Sequence, residues 1–439
     1  MNKRRVTLLS AALALYFFSA QQATAQLQNA GTLNEPVDVS KDFENYLNTF
    51  YFADELAAFD PATGVGTVKY KRYQYQTRQA FDNMLMKPDS VKANEFPATE
   101  YEAAPVLPFT LQFVSDRTVR IKMASGPQYH KQEESLMLVN GTVPNNPQGW
   151  KYSKTAAGHQ YTSKHGRVEI ISKPWHVKIY DASGKLLTST LHNSDVQNTY
   201  TPILPFSYVR RNSDYSRSMA PVFSLEPDEK IFGCGESFTN FNKRGQKVVL
   251  WTDDANGVQN ETMYKPIPFY MSSRGYGVFM HTSSPITVDF GKYDTSANKM
   301  MIGDDEADLF FFLGEPKDIL NEYTNLTGKA SMPPLWSFGL WMSRITYFSE
   351  KEGREVAKNL RKYKIPSDVI HFDTGWFDVD WRNNYEFASK RFEDPTKMMA
   401  DMKKDGFNVC LWQLPYFTPK NTLFNEIVSQ GLAVKDKKG

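Results

Sequence analysis

Two rhythms of apolar and polar positions divide the chain, and one gives way to the other at about Pro333-Pro334. Before that point the runs are short and alternating. Trp175, Val177 and Ile179 alternate with His176, Lys178 and Tyr180; Asp181-Ala182-Ser183-Gly184 then supplies a turn, and Leu186-Leu187 resumes the apolar face. This spacing predicts a hairpin with one buried and one solvated side. Pro268 to Met271, a turn at Arg274-Gly275 and Tyr276 to Met280 predict a second. Runs of this kind, punctuated by Gly, Pro, Asn and Asp, predict an antiparallel sandwich from residue 41 or so to about residue 330, behind a polar lead-in.

Beyond Pro334 the periods lengthen. Leu335 to Met342 is a continuous apolar run, the pattern of a strand buried on both faces. Ser349 and Glu352 form a capping box, Val356, Leu360 and Tyr363 recur at helical spacing, and Pro366 ends that helix. Val369 to Phe372 is a second strand. Asp394-Pro395 opens a helix with Met398, Met399 and Met402 as its buried stripe and Gly406 at its close. Phe407 to Leu414 is a third strand, and Asn421 caps a helix carrying Leu423, Phe424, Ile427 and Val428 as far as Gly431. Strands alternating with helices predict a parallel sheet. Two forms fit, a doubly wound sheet and a (β/α)8 barrel. No Gly-rich phosphate loop follows any of the strands, which argues against nucleotide binding. Met332 to Gly439 holds three βα units, whereas a barrel takes about 250 residues and about eight units; the sheet is either small and open or part of an incomplete barrel.

Composition narrows the class. The 439 residues suffice for about three folding units. Apolar residues are 41% and charged residues 23%, as in a globular protein. A formal charge of +2 argues against nucleic acid or an anionic membrane as the main partner. Lys3, Arg4 and Arg5 precede an apolar run from Val6 to Ala20 and then Ala23-Thr24-Ala25, the layout of a secretory signal peptide cleaved after Ala25. The run is shorter than the ~20 residues of a membrane span. The expectation is export to the periplasm or the medium, with no transmembrane segment. Cys234 and Cys410 cannot build a disulfide framework and are expected to be free thiols. The 7 histidines are scattered singly, with no zinc-ligand spacing, and no metal or cofactor is expected. The oligomeric state is not legible.

Candidate chemistry lies where the parallel strands end, because α/β barrels carry their active sites there. Asp373 is the first carboxylate after a wholly apolar strand. It either accepts hydrogen bonds from vicinal sugar hydroxyls or caps the turn that follows. Trp341, Trp376, Trp381 and Trp412 fall near the same ends; flat rings stack on sugar C–H faces, and they also fill cores.

These segments resemble glycoside hydrolase family 31, retaining α-glycosidases that include α-xylosidases, α-glucosidases and α-galactosidases. The resemblance runs from about Ile231 to the end. Phe232-Gly233-Cys234-Gly235-Glu236 and Tyr264-Lys265-Pro266-Ile267-Pro268-Phe269-Tyr270 are similar to runs of the family's N-terminal sandwich. Pro333-Pro334-Leu335-Trp336-Ser337-Phe338-Gly339-Leu340-Trp341, His371-Phe372-Asp373 with Trp376, and Cys410-Leu411-Trp412 with Pro415-Tyr416 are similar to the first three barrel strands. The implied layout is a signal peptide (1–25), an N-terminal antiparallel β-sandwich (26–330) and the first three βα units of a truncated (β/α)8 barrel (331–439). The implied substrate is an oligosaccharide. Asp373 would bind a hydroxyl, O4, of the sugar in subsite −1; Trp412 would form part of its wall and Trp376 would support it. Asp254 would be an acidic residue on a sandwich loop reaching over the barrel, or simply part of an Asp-rich turn. Where α-xylosidases of this type carry a bulky Cys-Phe pair after the Asp, this chain has Thr374-Gly375, which implies room for a glucosyl hydroxymethyl. The family's nucleophile sits in a KxDxGE-like run on the fourth strand and its acid/base later still. Neither run is found here, so both catalytic Asp residues are expected beyond Gly439, and the chain by itself is expected to be inactive. The competing reading is a non-catalytic carbohydrate-binding or scaffold protein.

Overall fold

The computed structural model describes residues 37–45, 47–78, 83–88, 104–130, 134–192, 204–253, 260–379 and 382–435. The chain divides into two compact units, one ending at Lys329 and the next starting at Ala330. None of the described helices is long and apolar enough to cross a membrane.

The first unit is mostly antiparallel sheet. A 15-stranded sheet dominates it, and a 5-stranded sheet accompanies it. The large sheet curls until its two ends face each other across the core: Tyr270 from one end meets Phe290 from the other at 5.1 Å, and Asn298 Nδ2 donates to the Tyr270 hydroxyl at 2.6 Å. The smaller sheet is packed onto the middle, where Trp175, wholly buried, meets Phe109 edge-on at 5.6 Å. Both predicted hairpins form. Strands His176–Asp181 and Leu186–Ser189 flank a turn in which Asp181 Oδ1 accepts from the Ser183 and Lys185 amides at 2.8 and 2.9 Å. Strands Pro266–Ser272 and Tyr276–Met280 turn at Gly275, whose φ of 93° suits a residue without Cβ. Cys234 and Cys410 are free, as expected; burial pushes the Cys234 thiol up to about 12, so it is an inert apolar filler.

The second unit is a three-stranded parallel sheet wrapped by helices. Its elements are β1 (Trp341–Met342), α1 (Glu350–Lys362), β2 (Val369–Phe372), a hairpin of β3 (Phe377–Val379) and β4 (Arg382–Phe387), α2 (Pro395–Lys404), β5 (Asn408–Leu411) and α3 (Phe424–Ser429). The sheet order is β1-β2-β5. Ser349 Oγ accepts from the Glu352 amide at 3.2 Å, and Asp394 Oδ1 from that of Lys397 at 2.8 Å, so both predicted caps form. On α1 the buried stripe is Gly353, Ala357 and Leu360, and Tyr363 is exposed.

The first predicted strand is mostly something else. Leu335–Phe338 is a 3₁₀ turn, and only Trp341 and Met342 join the sheet, opposite Val369 and Ile370. The cause is local: Pro333-Pro334 restrict the backbone, and Ser337 Oγ closes a turn by donating to the Pro334 carbonyl at 2.7 Å. Leu335 and Phe338 remain 88% and 75% exposed, so the run is not buried on both faces.

Candidate functional site

The ladder between β2 and β5 places the site's backbone. Phe372 lies opposite Leu411, and the Trp412 amide donates to the Phe372 carbonyl at 2.8 Å, one step beyond the strand. Asp373 therefore leaves the sheet at the C-terminal end of the middle strand, beside Trp412. Both side chains are half-buried.

Asp373 does cap the turn that follows. Its Oδ1 accepts from the Thr374 amide at 2.8 Å and starts the 3₁₀ turn Thr374–Trp376. That bond engages one carboxylate oxygen and fixes the carboxylate's orientation; Oδ2 can still accept from a ligand hydroxyl, so capping and binding are compatible roles.

Trp376 faces the core. It is 4% exposed and packs against Phe377 and Phe387, with ring centroids 4.6 and 4.9 Å away. Its indole N–H donates to the Trp412 carbonyl at 2.8 Å. It thus holds the main chain of Trp412 in place from beneath, while the Trp412 ring lies 5.9 Å from that of Phe377. Trp341 packs instead with Trp336, at 6.1 Å. Asp254 and Trp381 lie outside the described residues.

Gly375 does not open a pocket. A Cβ there would collide with Thr346 Oγ1 and stand 2.9 Å from the Tyr347 carbonyl oxygen. The segment after β1 fills the space beside the Gly375 Cα: Thr346 is 6% exposed and Tyr347 fully buried. The glycine answers a close approach of two chain segments, and Arg391 secures the same turn by donating to the Gly375 and Phe377 carbonyls.

Sequence reasoning missed Asn383 and read Asn421 only as a helix cap, whereas the cap position of α3 is Leu423. Asn383, fully buried on β4, donates from Nδ2 to the Leu414 carbonyl at 3.2 Å and accepts the Tyr385 amide on Oδ1 at 3.1 Å. Asn421, read as a helix cap, accepts the Leu423 amide on its Oδ1 at 2.9 Å, and its Nδ2 donates to the Asn383 carbonyl at 2.8 Å. Together they latch the hairpin after β2 to the loop after β5. The only sequence signal of Asn383 was its side-chain amide, which in loops usually faces water.

In the first unit, His130, Asp304 and Asp305 bring potential ligand atoms within 4.8 Å of one another. His130 Nε2 and Asp305 Oδ1 share a hydrogen bond of 2.5 Å, which raises the His130 pKa.

Comparison with known proteins adds a second line of observation. Residues 108–289 match the glycosyl hydrolase 31 N-terminal galactose mutarotase-like domain, and residues 330–439 the glycosyl hydrolases family 31 TIM-barrel domain. An alpha-xylosidase of Lactiplantibacillus pentosus is 36% identical over 50% of this chain and 29% of its own length. An alpha-xylosidase of Emericella nidulans is 34% identical over 48% and 27%. Alpha-glucosidase 2 of Bacillus thermoamyloliquefaciens is 29% identical over 56% and 30%. The chain thus spans under a third of the length of these relatives. Among solved structures, a Flavobacterium johnsoniae dextranase complexed with isomaltotriose superposes with a TM-score of 0.67 at 24% identity, covering 88% of this chain and 42% of that one. At that identity the likeness is one of fold.

Proposed function

The chain belongs to glycoside hydrolase family 31, and from that premise we propose that the whole protein releases terminal, non-reducing α-linked xylosyl or glucosyl residues from oligosaccharides. The observation that carries this reading is Asp373: a carboxylate at the C-terminal end of the middle parallel strand, oriented by the Thr374 amide, beside Trp412. It supports a hydrogen bond to a hydroxyl of the sugar in subsite −1, with Trp412 as wall and Trp376 holding the main chain behind it. The alpha-xylosidase and alpha-glucosidase relatives support the substrate class.

A retaining mechanism needs a nucleophile and an acid/base about 5–5.5 Å apart. No residue of these 439 is assigned to either role, and the chain by itself is expected to release no sugar. The reading includes export: the leader pattern ending at Ala25 supports a mature protein that begins at Gln26, which sequencing of the secreted N-terminus would check. The activity test is the whole gene product on 4-nitrophenyl α-xyloside, α-glucoside and α-galactoside. Turnover of the xyloside or the glucoside is expected. Inactivity on all of them would overturn the reading in favour of a carbohydrate-binding protein without catalysis.

A further inference from the structure

The Asn383–Asn421 latch presents something outward. Two residues beyond Asn383, Tyr385 sits at φ 59°, a left-handed conformation that is rare for a bulky aromatic and costs backbone strain. Its side chain serves no core: Tyr385 is 53% exposed. The backbone is fixed there by Asn383 Oδ1, which accepts the Tyr385 amide. Across the latch, on the loop after β5, Phe417 lies 6.2 Å from Tyr385 with the ring planes 38° apart. Asn384 and Glu386, joined by a side-chain hydrogen bond of 3.3 Å, flank the pair with hydrogen-bonding groups. A strained, exposed aromatic held by a fully buried amide is a costly arrangement unless its surface is used.

We propose that Tyr385 and Phe417 form a stacking platform for a pyranose ring on the leaving-group side of the bond to be cleaved. The inference rests on the α-glycosidase reading and adds to it the residues that hold the aglycone. The loops carrying the platform continue from Asp373 and from Trp412, so the platform belongs to the end of the sheet where Asp373 lies. Flat apolar rings bordered by amide and carboxylate groups match a pyranose, which has C–H faces and a hydroxyl rim. The polar border does not suit a purely apolar partner.

The test compares substrates with and without a sugar aglycone, using the whole protein. Isomaltotriose and the matching α-xylosyl-1,6-glucose disaccharide carry one; α-glucosyl and α-xylosyl fluoride do not. Tyr385→Ala should lower kcat/KM for the saccharides five- to tenfold more than for the fluorides, mainly through KM, and Tyr385→Trp should restore the ratio. Tyr385→Gly separates surface from backbone: it should match Tyr385→Ala in KM while melting no lower, because glycine accepts φ 59° freely. Equal losses on saccharide and fluoride would overturn the platform. If the wild type hydrolyses neither fluoride, the glycosidase reading falls, and calorimetric binding of isomaltotriose decides the platform separately. Binding that weakens in Tyr385→Ala would support it; absent or unchanged binding would overturn it.

Discussion

At the scale of single residues, Gly375 shows how a change of one atom's volume can be misread. Its small size, where α-xylosidases of this type carry a bulky pair, implied room for a glucosyl hydroxymethyl, yet its missing Cβ is demanded by Thr346 and Tyr347. Overpacking of this kind costs typically about 1–3 kcal/mol. Gly375→Ala should therefore lower the melting temperature and reduce xyloside and glucoside turnover together. A changed xyloside-to-glucoside ratio in a variant of normal stability would return the residue to the specificity pocket. Asp373 makes the opposite case. We propose that its oriented carboxylate accepts from a sugar hydroxyl, and a hydrogen bond to a charged group is worth about 1.5–3 kcal/mol. Asp373→Asn should lower kcat/KM of the whole protein at least about tenfold, and Asp378→Asn, fully outside the core on β3, should lower it far less. The reverse order would remove Asp373 from the sugar site.

At the scale of elements, a buried network in the first unit ties strands together. Arg120 donates twice to Asp308 at 2.6 Å, and His281, bonded to Ser135 at 2.7 Å, meets the same carboxylate at 2.9 Å. Burial pushes the Asp308 carboxyl up, but the hydrogen bonds and charges of Arg120 and His281 outweigh it and hold it below the usual range. A carboxyl lowered in the folded state contributes stability that is complete above its unfolded pKa of about 3.9 and is lost as pH falls through the folded value. Asp308→Asn should cost about 3–5 kcal/mol at neutral pH, and urea unfolding should show that difference shrinking below about pH 4. A difference independent of pH would deny the ion pair its role. Elements were legible where local chemistry and period agree, as in α1 with its Ser349 cap and in the hairpin at Asp181. Leu335 to Met342 was misread because an apolar run does not distinguish a strand from a turn with exposed rings. The position of Asp373 was legible, as a carboxylate that ends an apolar strand and caps the turn after it. The Asn383–Asn421 latch was not, because it joins residues 38 apart through main-chain carbonyls that no side-chain pattern reports.

At the scale of the whole molecule, the two units are joined along the chain by a segment without regular structure. Residues 329–334 are exposed, and Lys329 offers trypsin its preferred bond. Brief digestion should cut after Lys329 before it cuts within either sheet; early cleavage inside the strands would show that the units are less compact than described. We propose that this chain carries part of the sugar site of an α-glycosidase. The most direct test is kcat/KM of the whole gene product on 4-nitrophenyl α-xyloside and α-glucoside, measured for the wild type and for Asp373→Asn. Turnover of at least one substrate is expected, with a loss of about tenfold or more in the variant. Wild-type turnover that Asp373→Asn leaves intact, or no turnover of either substrate, would contradict the proposal.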